Sequence, residues 1–247
     1  MSLEQIVVAG LGGLAAGILS SAAGLGGGLA LVAIVSIGLT PHDAVALTAP
    51  VIAFGAVDRS WMFRHDLDVP VLGWLLVGAL PLTLLASFVM TDIPAGVLRL
   101  VMGGLLFSFI GYQLLLVRRG ARPLSIPLPA FAVVGMLNGG LAATVGGGGP
   151  VTAAFLHGRG LRRGRFVGTA SVCTGSVNVL KTAVFATTGV LTLSLLPATA
   201  AAAISMPVGN RLGRFLLRYL SDRAFENVLF VVLAVVAAQL VMQGGTA

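Results

Sequence analysis

Gly146-Gly147-Gly148-Gly149-Pro150 interrupts an apolar run otherwise fit to lie in a bilayer, and its reading decides the fold. A weaker echo, Gly24-Leu25-Gly26-Gly27-Gly28, interrupts an earlier run. Consecutive glycines unwind a helix, because they lose the most backbone entropy on ordering and leave the backbone uncovered. In hydrocarbon an unwound backbone carries unpaired N–H and C=O groups, so it survives only where protein or a watery cavity covers it. Pro150 suits the first turn of a new helix, where its missing N–H costs nothing. The pattern predicts a broken helix whose new N-terminus points into the membrane and offers partial positive charge to an anion. Close helix packing through small residues is the competing reading of either glycine run alone. Two runs in equivalent places weigh against it.

The composition fits that picture. Of 247 residues, 57% are hydrophobic and only 9% charged, whereas a soluble domain carries about 25% charged residues. With a mean hydropathy of +1.03, the chain is expected to be an all-α, polytopic membrane protein with the lipid bilayer as its surroundings. The net charge of +7 does not indicate nucleic acid, because the arginines occupy short connections with no basic face or aromatic platform beside them. Cys173 is the single cysteine, which rules out a disulfide or thiolate metal site within one chain and predicts a buried, inert thiol. Met1-Ser2-Leu3-Glu4-Gln5 lacks the basic start of a secretory signal, so the first apolar run is expected to be retained.

Apolar runs fall at 6–22, 26–39, 44–63, 70–90, 94–117, 129–145, 150–157, 166–186, 190–209 and 225–243. A full crossing needs about 20 residues. Runs 26–39 and 150–157 are too short, and each follows a glycine break, so each reads as the returning arm of a re-entrant hairpin. If both hairpins enter and leave on one side, Arg59, Arg64, the cluster Arg118–Arg122, the group Arg159–Arg165 and Arg211–Arg223 all face one compartment. The other face then receives Glu4, His42, Asp43, Asp92 and the 187–189 turn. The positive-inside rule makes the arginine face cytoplasmic, and two complete crossings in place of each hairpin would leave the same parity.

The layout also contains a repeat. A shift of 121 residues lays Gly26-Gly27-Gly28 on Gly147-Gly148-Gly149 and Thr48-Ala49 on Thr169-Ala170. A slightly larger shift pairs Pro81 with Pro207. The first half, 1–120, starts outside and ends inside; the second, 129–247, does the reverse, with 121–128 as a cytoplasmic linker. Odd parity in each half predicts two inverted-topology repeats, the arrangement of secondary transporters with a midplane site.

No cofactor or catalytic signature is present. Gly146–Pro150 lacks the Gly-Lys-Ser/Thr ending of a nucleotide-binding loop, and neither His-Glu-x-x-His nor Gly-x-Ser-x-Gly occurs. His42, His65 and His157 are too scattered for a metal site. Asp43 reads as the cap of the helix after Pro41, Asp66 and Asp68 as charge balance for Arg64, and Arg59 as an interface anchor beside Trp61. The run 166–186 is richer: Thr169, Ser171, Cys173, Thr174, Ser176, Asn178 and Lys181 lie in a span without acids. Thr174, Asn178 and Lys181 share one helix face. That face would line a path for a negatively charged solute, with Lys181 neutralising it; the alternatives are hydroxyls bonded to their own backbone, Asn178 joining helices, and a snorkelling Lys181. Asn138, just before Gly139-Gly140, is a second candidate. Since no intramembrane Asp or Glu is evident, no carboxylate proton relay is expected.

The chain resembles the TauE/SafE family of sulfite and organosulfonate exporters. The features that match are Gly24–Gly28 followed by an apolar arm, Thr40-Pro41 and Ala44–Ala49, then Gly146–Pro150 followed by Thr169-Ala170. The resemblance implies a cytoplasmic-membrane permease for small sulfur-containing oxyanions, with Gly26, Gly27, Gly28, Gly147, Gly148 and Gly149 at the family's glycine motifs. The repeat adds Thr48 and Thr169, and the polar positions add Asn138, Thr174, Asn178 and Lys181. Pro150 stands opposite Leu29, so the two hairpins need not contribute equally. The expected partners are a small anionic substrate and lipid, with a homo-oligomer left open. The rival readings are a permease for another small anion or solute, and a membrane scaffold that transports nothing.

Overall fold

The computed structural model describes residues 1–23, 27–119, 126–161 and 163–216. Gly26, residues 121–125 of the expected linker and the apolar run 225–243 lie outside the described residues. Every described element is helical: α1 (Leu3–Ala23), α2 (Gly27–Val35), α3 (Pro41–Met62), α4 (Val69–Val89), α5 (Ala95–Arg119), α6 (Ala130–Val145), α7 (Gly149–Gly158), α8 (Arg163–Thr187) and α9 (Leu196–Leu216). Short 3-10 turns at Met90–Asp92 and Leu193–Leu195 lead into α5 and α9. α6 ends at the second glycine run as expected, and the short helices α2 and α7 begin at Gly27 and Gly149. Pro150 stands in the first turn of α7.

Among the described residues, three segments are long and apolar enough to cross a membrane: Leu3–Ser20, Val69–Asp92 and Leu193–Gly213. Each keeps apolar side chains on its outer surface, such as Val77, Leu84, Leu85 and Phe88 on α4 and Ile204, Val208 and Phe215 on α9. A soluble domain rarely exposes such continuous apolar area, and lipid accounts for it.

Helices pair along three seams: α1 with α9, α4 with α6, and α3 with α8. Between lipid-compatible helices there is little hydrophobic drive to associate, so close packing through small residues must supply the contact. The first two seams have that form. On the α4–α6 seam a methyl group added at Gly78 would overlap the Ala132 carbonyl, and one at Gly135 the Leu75 carbonyl. On the α1–α9 seam, Gly17 abuts the backbone of Met206 and Asn210, and Gly209 that of Leu14. Close packing is thus a role of glycines outside the two runs as well as within them, where Gly27 abuts the Ala16 carbonyl.

Hydrogen bonds tie the loops into two ends. At one, the Gln5 side-chain amide donates to the Gly38 carbonyl at 2.8 Å, and His42 Nε2 lies 3.0 Å from the Ile93 carbonyl oxygen. At the other, the Asp68 amide donates to Thr169 Oγ1 at 3.0 Å and Arg159 Nη1 to the Ile126 carbonyl at 2.8 Å. For these loops the grouping agrees with the one expected from the arginine distribution.

Two local expectations change. Thr40, not Asp43, caps α3: its hydroxyl accepts the Asp43 amide at 3.2 Å and donates to Asp43 Oδ2 at 2.7 Å, with Pro41 at the first helical position. Asp43 is three residues on, where a capping-box acid stands. Asp68 also caps α4, its Oδ1 accepting the Val71 amide at 3.2 Å, and with Asp66 it lines a pocket shared with Arg159 and Arg165. Arg64 instead stacks on Trp61, its guanidinium carbon 4.5 Å from the ring centroid. Thr40→Ala is expected to lower stability by about 1 kcal/mol, read as an earlier thermal transition of the detergent-solubilised protein with transport retained.

Candidate functional site

The two glycine breaks meet. Gly146 closes α6 in the left-handed conformation (φ 71°), its N–H returning to the Ala142 carbonyl and that of Gly147 to the Leu141 carbonyl, both at 3.2 Å. Only glycine takes that backbone without strain. Val32 of α2 presses on Gly146 and Leu29 of α2 on Gly147, leaving no room for a side chain at either. A methyl added at Gly28 would lie 3.2 Å from the Gly146 carbonyl oxygen and 3.0 Å from Ile52 Cδ1. The start of α2 is thus set against the end of α6, and both border one cavity.

That cavity has a volume of about 40 Å³. Gly27 and Gly28 bring the N-terminus of α2 to its wall, and Gly148 and Gly149 bring that of α7. The first amides of a helix have no acceptor in their own helix, and the aligned peptides leave roughly half a positive charge there. Pro150 has no N–H to offer, so in the first turn of α7 the amides of Gly149 and Val151 remain. Asn138 of α6 and Thr174 and Asn178 of α8 add polar groups to the wall. Asn138 Nδ2 contacts Cys173 Sγ at 3.5 Å and Asn178 Nδ2 donates to the Thr174 carbonyl at 2.8 Å, which fixes both amides in place. Cys173 is fully buried.

Arg59 is the feature that the sequence misplaced. It is 7% exposed and lines the cavity, whereas Trp61, beside which it was expected to anchor, is 70% exposed. Its Nε donates to Ser171 Oγ of α8 at 3.4 Å, and its buried Nη1 meets no hydrogen-bond partner. Interface anchoring falls to Arg64 and Trp61 instead. A buried, incompletely paired cation is costly, which makes Arg59 a candidate site residue. The only hint in the sequence was an arginine inside the run 44–63, and no local rule tells that it turns inward.

With this geometry in view, the comparison with known families is decisive. The family profile described as Sulfite exporter TauE/SafE matches residues 9–240, nearly the whole chain. The chain belongs to the TauE/SafE family. No curated protein and no solved structure matches it. TauE/SafE proteins are transporters, and the apolar helices here suit a membrane permease.

Of the positions singled out in this TauE/SafE chain, Gly27, Gly28, Asn138, Gly148, Gly149, Thr174 and Asn178 share the cavity wall. Four others sit elsewhere. Gly147 backs onto Leu29. Thr48 is buried behind Gly146, its hydroxyl donating to the Val45 carbonyl at 3.0 Å. Thr169 receives the Asp68 amide at one end of the bundle. Lys181 is fully buried, neither on the wall nor at the surface. Its Nζ donates to the Ala142 carbonyl at 2.9 Å and stands 5.5 Å from the Phe185 ring centroid. That carbonyl belongs to the C-terminal turn of α6, the partially negative end of the helix, so Lys181 offsets the one unfavourable dipole near an anion. Gly26 lies outside the described residues. Ser20, Ile52 and Met206 are further wall residues that no sequence signal marked, and Leu29, Ala142, Gly146 and Val177 also line the cavity.

Proposed function

We propose that this TauE/SafE chain is a multi-pass permease of the cytoplasmic membrane that exports small sulfur-containing oxyanions, sulfite or organosulfonates, by alternating access. The observation that carries the reading is the convergence of both glycine-broken helix starts and the free Nη1 of Arg59 on one buried cavity. Backbone amides and a guanidinium are the donors that oxyanions require, and no acidic residue is among the wall residues to repel one.

The reading places the two halves as inverted repeats, with α2 and α7 as re-entrant arms. The helix pairing supports it, because exchanging the halves exchanges the contacts. α1 against α9 becomes α6 against α4, α3 against α9 becomes α8 against α4, and α3 against α8 maps on itself. The shift of 121 also carries the Val69–Asp92 span to 190–213, where the Leu193–Gly213 span lies. Rocking one half against the other about the α3–α8 seam would expose the cavity to each side in turn. The arginine-rich loop end is the cytoplasmic one.

Flux into proteoliposomes tests this. The purified full chain is expected to move sulfite and not a divalent cation; movement of the cation, or absence of flux with every sulfur oxyanion, would overturn the proposal.

A further inference from the structure

We infer that Lys181 is a positioning residue for the central cavity: its amine fastens the broken end of α6 to α8 and so sets the width of the site, without touching the transported solute. The inference rests on the transport reading above and adds a residue that is not itself on the cavity wall.

The two helices that Lys181 joins lean on different neighbours. On α6, Gly135 abuts the Leu75 carbonyl and Gly139 the Ala79 carbonyl, so the helix is drawn to α4. α8 packs along α3. The cavity lies between them, with Asn138 and Ala142 of α6 and Thr174 and Asn178 of α8 on its wall.

Two side-chain hydrogen bonds cross that gap. Asn138 Nδ2 reaches Cys173 Sγ at 3.5 Å, and Lys181 Nζ donates to the Ala142 carbonyl at 2.9 Å. The bridged residues are about one turn apart on α6 and about two turns apart on α8, so the bridges frame the wall residues between them. A thiol sulfur is a weak acceptor, which leaves Lys181 as the stronger tie.

Ala142 is where such a tie controls the break. The same carbonyl accepts the Gly146 N–H at 3.2 Å, one of the bonds that close α6 before α7 begins. A carbonyl oxygen has two lone pairs, so both bonds form together. A shift of Ala142 carries Gly146 with it, and both line the cavity.

Fold stability gives no reason for a lysine here. Lys181 is fully buried, with the Phe185 ring centroid 5.5 Å from Nζ. Placing an amine so far from water is costly, and even buried ion pairs can be exchanged for apolar side chains of similar volume without loss of stability. The apolar cluster of Ala79, Ala142 and Val177 would remain in such an exchange. What would be lost is the fixed spacing of two wall helices.

The test compares the full chain with its Lys181→Met variant, which keeps an unbranched side chain and removes the donor. Melting temperature and hydrogen exchange are measured in detergent, and flux in proteoliposomes over a range of sulfite concentrations. Lys181→Met is expected to melt no earlier than wild type and to exchange faster at Gly146 and Gly147, whose amides close the break. It should need about ten times more sulfite for half-maximal flux, the scale of one lost hydrogen bond, with the maximal rate nearly kept. Lys181→Gln keeps an N–H donor one atom shorter; it should show the same shifts to a smaller degree, and it decides the matter if Lys181→Met cannot be purified. A lowered melting temperature with a parallel fall in maximal rate would reduce Lys181 to a structural role and overturn the inference. Unchanged exchange at the break, or unchanged half-saturation, would overturn it too. If wild type moves no sulfur oxyanion while the exchange result holds, the transport reading fails and the fastening of α6 to α8 stands.

Discussion

Replacing Gly148 by leucine is expected to bring sulfite flux to background, and even Gly148→Ala is expected to lose most of it. A Cβ at this position would overlap both the backbone carbonyl and the side-chain oxygen of Asn138. The side chain could rotate away, but the carbonyl belongs to α6 and cannot move without shifting the helix against α4. Either adjustment displaces a cavity-wall amide or parts the start of α7 from the wall. Gly104→Ala is the control. Nothing lies within 4 Å of a methyl there, so it should show the ordinary gain of about 0.5–1 kcal/mol for Gly→Ala in a helix. Flux and melting temperature measured on both variants separate the effects. Gly148→Ala with wild-type flux would mean that the break serves packing alone.

The second large effect is expected at a glycine of the α4–α6 seam that is not among the cavity-wall residues. Gly135→Val should prevent recovery of a stable, monodisperse protein, because its side chain would enter the Leu75 carbonyl on the α4–α6 seam. Overpacking a tight interior commonly costs 1–3 kcal/mol, and here the obstacle is main chain, so about 3 kcal/mol or more is expected. Gly73→Val, on the same α4 but with nothing within 4 Å of the added methyl, should be recovered in near-normal yield. Chromatographic profile and thermal denaturation in detergent decide the comparison; a Gly135→Val protein as stable as wild type would refute the account of the seam.

These two glycines separate what is local from what is not. Composition and run length are properties of the chain itself, so the all-helical, membrane-fitted class was legible at once. So were the break at Gly146, the short helices that begin at Gly27 and Gly149, and Pro150 in a first turn. The grouping of loops into two ends was legible too, because charge in loops reports sidedness without knowledge of packing. Asn138, Thr174 and Asn178 were found because a polar side chain at membrane depth is rare enough to stand out.

The tertiary structure alone decided which of the mid-helix glycines let helices touch, such as Gly78 and Gly135, and which face open space, such as Gly73 and Gly104, since both kinds look identical in one dimension. It also decided that Arg59 turns inward to Ser171 while Arg64 turns outward onto Trp61, and that Lys181 leaves the face of Thr174 and Asn178 to reach the end of α6. Those choices depend on how α3 and α8 are rotated about their own axes when they meet. That rotation is fixed by contacts between residues 112 positions apart, such as Arg59 and Ser171, and no local pattern encodes it.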